Sequence, residues 1–327
     1  MLTSGCIDGA FDAAEPDAEA LALLTELAKF PEWRMETDHG TIRMILYTGW
    51  TPGTTGHIIQ LADRSFYDGT TMHRVVDDFV IQGGDPTGTG EGGSGPLGLS
   101  DSIPLEIHDG LDFGSGAVGL ARWTDDTGDS QYFITEKPAI HLSQPTGPTG
   151  MVFGAYSLFA QVFQGQDVVR AIAQVETDAN DKPTTDVVVH NTTILDPPAD
   201  ADLINLIPDV HAGVSTQGYV GDLEVPRIVV ADHPATFRFS TDTTDSTDSA
   251  DQAPCRVESF GLTGPEGTTS YRTWNGATGD PCTFEDTIRF TAPGDYVIDL
   301  GVDEVAFQVI PWHAEYASFT GTAKASA

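Results

Sequence analysis

The stretch YDGTTMHRVVDDFVIQGGD, residues 67–85, decides the fold of this chain. It sets one arginine and one glutamine among apolar residues and ends in a glycine turn. Val75, Phe79 and Ile81 alternate with polar positions as in a half-buried strand, which predicts Arg74, Val80 and Gln82 on one face and their neighbours on the other.

Working outward, residues 86–98 are glycine-rich, and Gly88, Gly90 and Gly93 satisfy G-x-G-x-x-G. A dinucleotide fingerprint needs a helix straight after its glycines, and Gly95, Pro96 and Gly98 forbid one, so the segment reads as a loop. Upstream, Leu21, Leu24, Leu27 and Ala28 recur at helical spacing within residues 15–30, and Pro31 stops that helix. Ile42, Met44 and Leu46 then fall on one face of a strand that follows a turn at residues 38–40. Thr51 and Pro52 read as an N-cap with proline at the first helical position, and the helix carries Ile58, Leu61 and Ala62 inward. Downstream come strands at residues 117–121 and 131–135, a Pro/Gly loop at 143–150 and a strand at 159–163. A helix follows at 167–175 with Val168, Ile172 and Val175 inward, and residues 187–189 and Ile194 close the set. Short strands at this spacing predict a closed antiparallel barrel.

Met72, His73, Arg74, Phe79, Gln82, Gly83, Gly84 and Asp85 stand in an order and spacing that resembles the cyclophilin signature F-H-R-V-I-x-x-F-M-I-Q-G-G-D. The glycine loop is similar to the family's D-P-T-G-T-G-x-G-G. Ala121, Gln131 and Phe133 hold the intervals of its M-A-N-x-x-x-x-x-G-S-Q-F-F segment. The resemblance runs from about Trp33 to Leu195 and implies an all-β fold with two capping helices, a closed eight-stranded barrel, and peptidyl-prolyl cis-trans isomerase activity on proline-containing polypeptides. Rotation about an X-Pro bond must break amide resonance, a barrier of about 18–20 kcal/mol, and needs no nucleophile, metal or cofactor.

By the same resemblance Arg74 donates to the prolyl nitrogen, which regains a lone pair in the twisted amide. Gln82 orients Arg74 and contacts the substrate backbone, and Phe79, Phe133 and Leu142 hold the proline ring. Ala121 offers its backbone to the residue before proline, and Gln131 offers its amide to the substrate chain. By residue type alone Phe79, Phe133 and Leu142 also fit ordinary barrel core. The chain departs from the family pattern at Val80, where methionine is usual, at Arg122, where asparagine is usual, and at His141, a frequent tryptophan. Arg122 places a long cation beside the groove, which favours acidic residues near the proline. His141 reads either as a rim residue or as a surface histidine. The histidine usual after Leu142 is replaced by Tyr156 when residues 159–162 are aligned with F-G-x-V, or by Gly150 when 152–154 are.

The whole composition sets the setting. Among 327 residues, 49 acidic against 15 basic give a formal net charge of -34, which excludes a basic face for nucleic acid or anionic lipid. Such a surface suits a protein hydrated in salt water, and equally an extracellular protein with solvated acidic loops. Thr3, Ser4, Gly5 and Cys6 resemble the end of a lipoprotein signal, which implies an extracytoplasmic, lipid-anchored protein; the other reading is a chance cysteine in a tail. Residues 196–200, DPPAD, mark a linker. The chain divides into an N-terminal tail and helix (1–32), the barrel (33–196), a linker (197–202) and a second β domain (203–327). That domain has apolar strands at 228–230, 237–239, 288–290, 296–300 and 305–310, and the turn at 291–296 resembles the entry to a late strand of an immunoglobulin-like sandwich. Cys255 and Cys282 share it and are expected to form a disulfide. Residues 241–252, rich in Asp, Ser and Thr, lack the fixed spacing of a calcium loop and read as hydrated chain. Two functions stay open: an isomerase assisting extracytoplasmic folding, and a catalytically weak proline-peptide-binding or adhesion module.

Overall fold

The computed structural model describes residues 18–95, 102–108, 111–143, 155–207, 210–216, 219–241, 259–273, 283–301 and 303–321. Cys6, Cys255 and Cys282, and with them the expected acylation and disulfide, lie outside the described residues, as do 242–252. None of the described helices is long and apolar enough to cross a membrane.

Eight strands form one antiparallel sheet: β1 (Glu32–Thr37), β2 (Gly40–Leu46), β3 (Arg74–Val76), β4 (Val80–Gly83), β5 (Ala117–Leu120), β6 (Tyr132–Thr135), β7 (Leu158–Gln164) and β8 (Val189–Leu195). Their order is β3-β4-β6-β5-β7-β2-β1-β8. The residues just before β3 and β8 pair with each other: Thr71 bridges Val188, and the Met72 and Gly69 amides donate to the Val187 and Val189 carbonyls. That bridge joins the two ends of the sheet and closes it into a barrel.

The single strand expected across 74–82 is a hairpin. Residues 77–79 turn the chain, with Asp78 at φ 62°, and β3 and β4 pair Arg74 with Gln82, Val75 with Ile81 and Val76 with Val80. The facial grouping holds nonetheless, because directly paired residues share a face. Val75 and Ile81 turn inward to a core of Trp33, Met35, Ile42, Met44, Leu46, Val118, Tyr132, Ile134 and Phe159. Two helices plug this interior. Helix α2 (Pro52–Ala62) buries Ile58, Leu61 and Ala62 as expected, and α3 (Gln166–Ala173) buries Val169, Ile172 and Ala173. Val168 and Val175, expected inward, are half-buried at the margin of that core.

Thr51 does not cap α2. Its hydroxyl donates back to the Tyr47 carbonyl at 3.4 Å, and the first free amides of the helix, Gly53 and Thr54, donate to the Glu106 carboxylate at 3.0 and 2.6 Å. A distant carboxylate supplies the capping acceptor and complements the positive end of the helix.

A second core lies outside the barrel. Helix α1 (Ala18–Leu27) buries Ala20, Leu24 and Leu27 against Phe30, Ile45, Tyr47 and the segment from Ala201 to Ile207, and this cluster also takes in Ile228, Val230, Tyr316 and Phe319. Nearby, Arg43 bridges the nearly buried Glu32 at 2.7 Å and Asp200 at 2.7 Å. Burial pushes the Glu32 carboxyl up, but the guanidinium groups of Arg43 and Arg34 outweigh it and hold the group low.

Beyond residue 207 the strands are β9 (Val210–Thr216), β10 (Tyr219–Val225), β11 (Val229–Val230), β12 (Pro234–Thr241), β13 (Ser259–Thr263), β14 (Thr269–Thr273), β15 (Thr283–Arg289), β16 (Gly294–Asp299) and β17 (Glu304–Ile310). They make a four-stranded sheet, β15-β12-β10-β9, and a five-stranded one, β11-β17-β16-β13-β14. Leu223, Phe237, Phe239, Phe260, Phe290, Ile298 and Val309 fill the core they share. Tyr296 donates its hydroxyl to the Ala292 carbonyl at 2.9 Å, the corner contact typical of immunoglobulin-like sandwiches. The β-sandwich reading thus stands, with β9, β10, β13 and β14 added to the expected strands.

Leu24 is fully buried in the second core. Leu24→Ala is expected to cost about 2–5 kcal/mol, as a cavity-forming leucine truncation does. Urea unfolding followed by far-UV circular dichroism checks this; a loss below about 1 kcal/mol would mean that α1 is not packed as described.

Candidate active site

Because the inner face is filled, the face carrying Arg74 and Gln82 looks outward. Register places a row across it: Arg74 opposite Gln82, Gln82 opposite Phe133, and Phe133 opposite Gly119. The last step requires glycine, since a Cβ at position 119 would overlap the rings of Phe133 and Phe113.

Beside this row opens a groove of about 800 Å³, lined by His73, Arg74, Gln82, Ala121, Arg122 and Gln131 among others, with the glycine loop 89–95 as one wall. Two carboxylates hold that wall. Asp85 is completely buried and accepts the amides of Thr87, Thr89 and Gly90 at 2.7, 2.9 and 2.6 Å and the Thr87 hydroxyl at 2.8 Å. Burial pushes its carboxyl up, yet the donors from Thr87, Gly92 and Gly90 outweigh burial and hold it well below the usual carboxylate range. Asp129 accepts the Ser94 amide at 2.7 Å and the Ser94 hydroxyl, and lies 3.5 Å from His57 Nε2. Side chains at Gly92 and Gly93 would overlap the Asp85 and Asp129 carboxylates, so these two glycines are demanded by close approach.

The predicted site residues fall into two neighbouring sets. Arg74, Gln82, Ala121, Arg122 and Gln131 line the groove. Phe79, Val80, Phe133, Leu142 and Tyr156 belong to the apolar cluster next to it, in which Val80, Phe133 and Leu142 are nearly covered and Phe79, Ala121 and Tyr156 stay half-buried. Phe133 stacks on Phe113 at 5.4 Å and meets Tyr156 edge-on at 5.3 Å. Val80, Phe133 and Leu142 therefore offer little free surface to the groove side. His141 is exposed and stacks on Phe79 at 5.5 Å, which makes it a rim residue.

Three expected roles change. Gln82 does not hydrogen-bond Arg74 among the described residues; its amide donates to Gln131 Oε1 at 3.0 Å. Gln131 in turn donates to the Gly90 and Gly92 carbonyls, both at 2.9 Å, so its amide ties the glycine wall to β6. Arg122 is not a free cation beside the groove. It pairs with Asp125 at 2.7 Å, donates to the Ala155 carbonyl, and lies 4.9 Å over the Tyr156 ring, leaving its side chain 8% exposed. The expected preference for acidic flanking residues loses its basis, because that charge is neutralised within the protein.

Sequence reading also missed parts of the groove. His73 is buried, and burial pushes its imidazole toward the neutral form. Trp123 lines the groove with 82% of its surface exposed, on a loop whose backbone Thr127 holds by accepting the Trp123 and Thr124 amides. An aromatic residue two positions after the matched Ala121 was the available signal.

The model of the family described as cyclophilin type peptidyl-prolyl cis-trans isomerase/CLD matches residues 33–194. The peptidyl-prolyl cis-trans isomerase-like 1 of Neurospora crassa is 40% identical over 156 residues, which are 47% of this chain and 88% of that protein. The chain belongs to the cyclophilin-type peptidyl-prolyl cis-trans isomerases. The human peptidyl-prolyl cis-trans isomerase-like 1 is 38% identical over 160 residues, 49% of this chain and 89% of that protein. A Cryptosporidium parvum cyclophilin crystal structure is similar at 25% identity and TM-score 0.46, covering 52% of this chain and 99% of that one. All three likenesses cover about half of this cyclophilin. Within it, Arg74 and the glycine wall line one groove, with the aromatic cluster beside it.

Because Asp85 sits low when folded, its contribution is full above the ordinary aspartate range near about 3.9 and is lost as pH falls toward the folded value. Asp85→Asn is expected to flatten the acid limb of stability between about pH 5 and pH 2 and to loosen the loop. Urea midpoints measured across that range check it; a variant that loses stability with acid as steeply as the parent would mean that Asp85 is not the acid-sensitive group.

Proposed function

We propose that this protein catalyses peptidyl-prolyl cis-trans isomerisation through Arg74, on proline-containing segments of proteins folding outside the cytoplasm. The single observation that carries the reading is the outward row Arg74, Gln82, Phe133, Gly119, which puts a guanidinium on the same face as an aromatic wall two strands away. In the planar amide the prolyl nitrogen shares its lone pair with the carbonyl and accepts nothing; in the twisted state it accepts. A donor fixed there stabilises the transition state selectively. Bringing a barrier of about 20 kcal/mol down to roughly a hundred turnovers per second takes about 5 kcal/mol. One charge-assisted donor plus an apolar face that holds the ring off-plane is of that order.

The half-buried Phe79, Ala121 and Tyr156 receive the proline ring, and the exposed Trp123 contacts a flanking residue. The barrel, residues 33–196, carries the activity, and the sandwich from 203 onward serves as a spacer or docking module. The acidic surface and the Thr3-Ser4-Gly5-Cys6 sequence support an extracytoplasmic, lipid-anchored setting.

Arg74→Ala is expected to lower kcat/KM by about a hundredfold or more, roughly 2.7 kcal/mol of transition-state stabilisation, with unchanged circular dichroism. A loss under threefold in a prolyl-peptide assay would remove Arg74 from the mechanism. A fragment of residues 33–196 is expected to isomerise the same peptide but to melt at least about 4 °C lower, because it exposes the second core. A folded but inert fragment would place part of the site in the remainder of the chain.

A further inference from the structure

The guanidinium of Arg74 has a partner that the sequence did not announce. Asp181 Oδ2 lies 3.6 Å from Arg74 Nε, both side chains being about half exposed. An anion at Nε occupies the inner edge of the fork and leaves the two terminal nitrogens for the groove that Arg74 lines. Gln82, whose amide is given to Gln131, does not do this.

Asp181 is held in place. The Val75 amide, next to Arg74 in the chain, donates to the Asp181 carbonyl at 2.7 Å. Asp178 Oδ1 accepts the amides of Asn180 and Lys182 at 2.8 and 3.1 Å, and Thr177 bridges Pro183, so the turn is closed at its neck. Lys182 Nζ reaches the Gly88 carbonyl at 3.2 Å and ties the turn to the glycine loop. The backbone of Asp181 is left-handed, φ 61°, a conformation that suits glycine better than a residue with a Cβ. Among the described residues, the one ion pair that the Asp181 carboxylate makes is with the guanidinium of the groove.

We infer that Asp181 is a positioning residue for Arg74, fixing the guanidinium by its Nε edge so that its terminal N–H groups point at the prolyl nitrogen. This rests on the reading of Arg74 given above. A half-exposed pair is modest and salt-sensitive, so the expected effect is about two- to fivefold.

The test measures kcat and KM for Asp181→Gly and Asp181→Asn, each alone and combined with Arg74→Ala, together with melting temperatures. Asp181→Gly is expected to lower kcat about two- to fivefold with little change in KM, while melting at the same temperature or higher, because glycine relieves the left-handed residue. The deficit should shrink as salt is raised and vanish in the Arg74→Ala background. Asp181→Asn tolerates the same backbone and serves if the glycine variant loosens the turn. Full kcat in both single variants, with Arg74→Ala impaired, would overturn this inference alone. An equal deficit with and without Arg74 would overturn it too, by showing that the turn acts on something else. If Arg74→Ala keeps its activity, the reading of Arg74 falls first and this inference with it.

Discussion

Joining the two ends of the sheet at Thr71 and Val188 gives each of its eight strands an inner and an outer face. The rest of the molecule follows from that constraint. One face must be apolar enough to fill the interior, and Trp33, Met44, Ile81 and Tyr132 do so. The other face is then free to carry polar groups whose separation is set by strand spacing and not by loop geometry. Arg74, Gln82 and Phe133 are neighbours because three strands pair in one register, and a slip of one residue would send all three inward.

Charge is managed within that frame. Fifteen basic residues stand against 49 acidic ones, and the arginines of the site are paired: Arg74 with Asp181 and Arg122 with Asp125. Each therefore has a carboxylate partner within the protein, and Arg74 keeps its terminal nitrogens for the groove it lines. Other carboxylates do structural work. Asp85 and Asp129 knit the glycine wall, and Glu106 caps α2 from 52 residues away.

What could be read from the sequence is what local pattern controls. The alternation at Ile42, Met44 and Leu46 and the spacing of Arg74, Gln82 and Phe133 encode faces, so the barrel and the outward set were legible. Partnerships were not. Nothing local says that Gln82 turns to Gln131, that Arg122 folds onto Tyr156, or that α2 is capped by Glu106 and not by Thr51, because each choice is made by a residue brought near only by the closed sheet. In the second β domain, Val210, Ala212 and Val214 of β9 and Leu223 and Val225 of β10 do alternate with polar or small residues, but these runs are short and interrupted by glycine, and what makes them strands is the pairing of β9 with β10 and of β10 with β12. The hairpin at 77–79 escaped for a different reason: two strands joined by a short turn keep the parity of a single strand.

The apolar side of the site belongs to two structures at once. Val80, Phe113, Phe133 and Leu142 belong to the wall beside the groove, and they are members of the same cluster as Leu24, Leu27, Leu203, Ile204 and Tyr316. A wall that twists an amide must not yield, since any give returns the ring to the planar ground state and forfeits the selectivity for the transition state. Helix α1 and the chain beyond residue 200 join that cluster, so they add burial behind a wall whose own rings, Phe113, Phe133 and Tyr156, already pack on one another within the barrel.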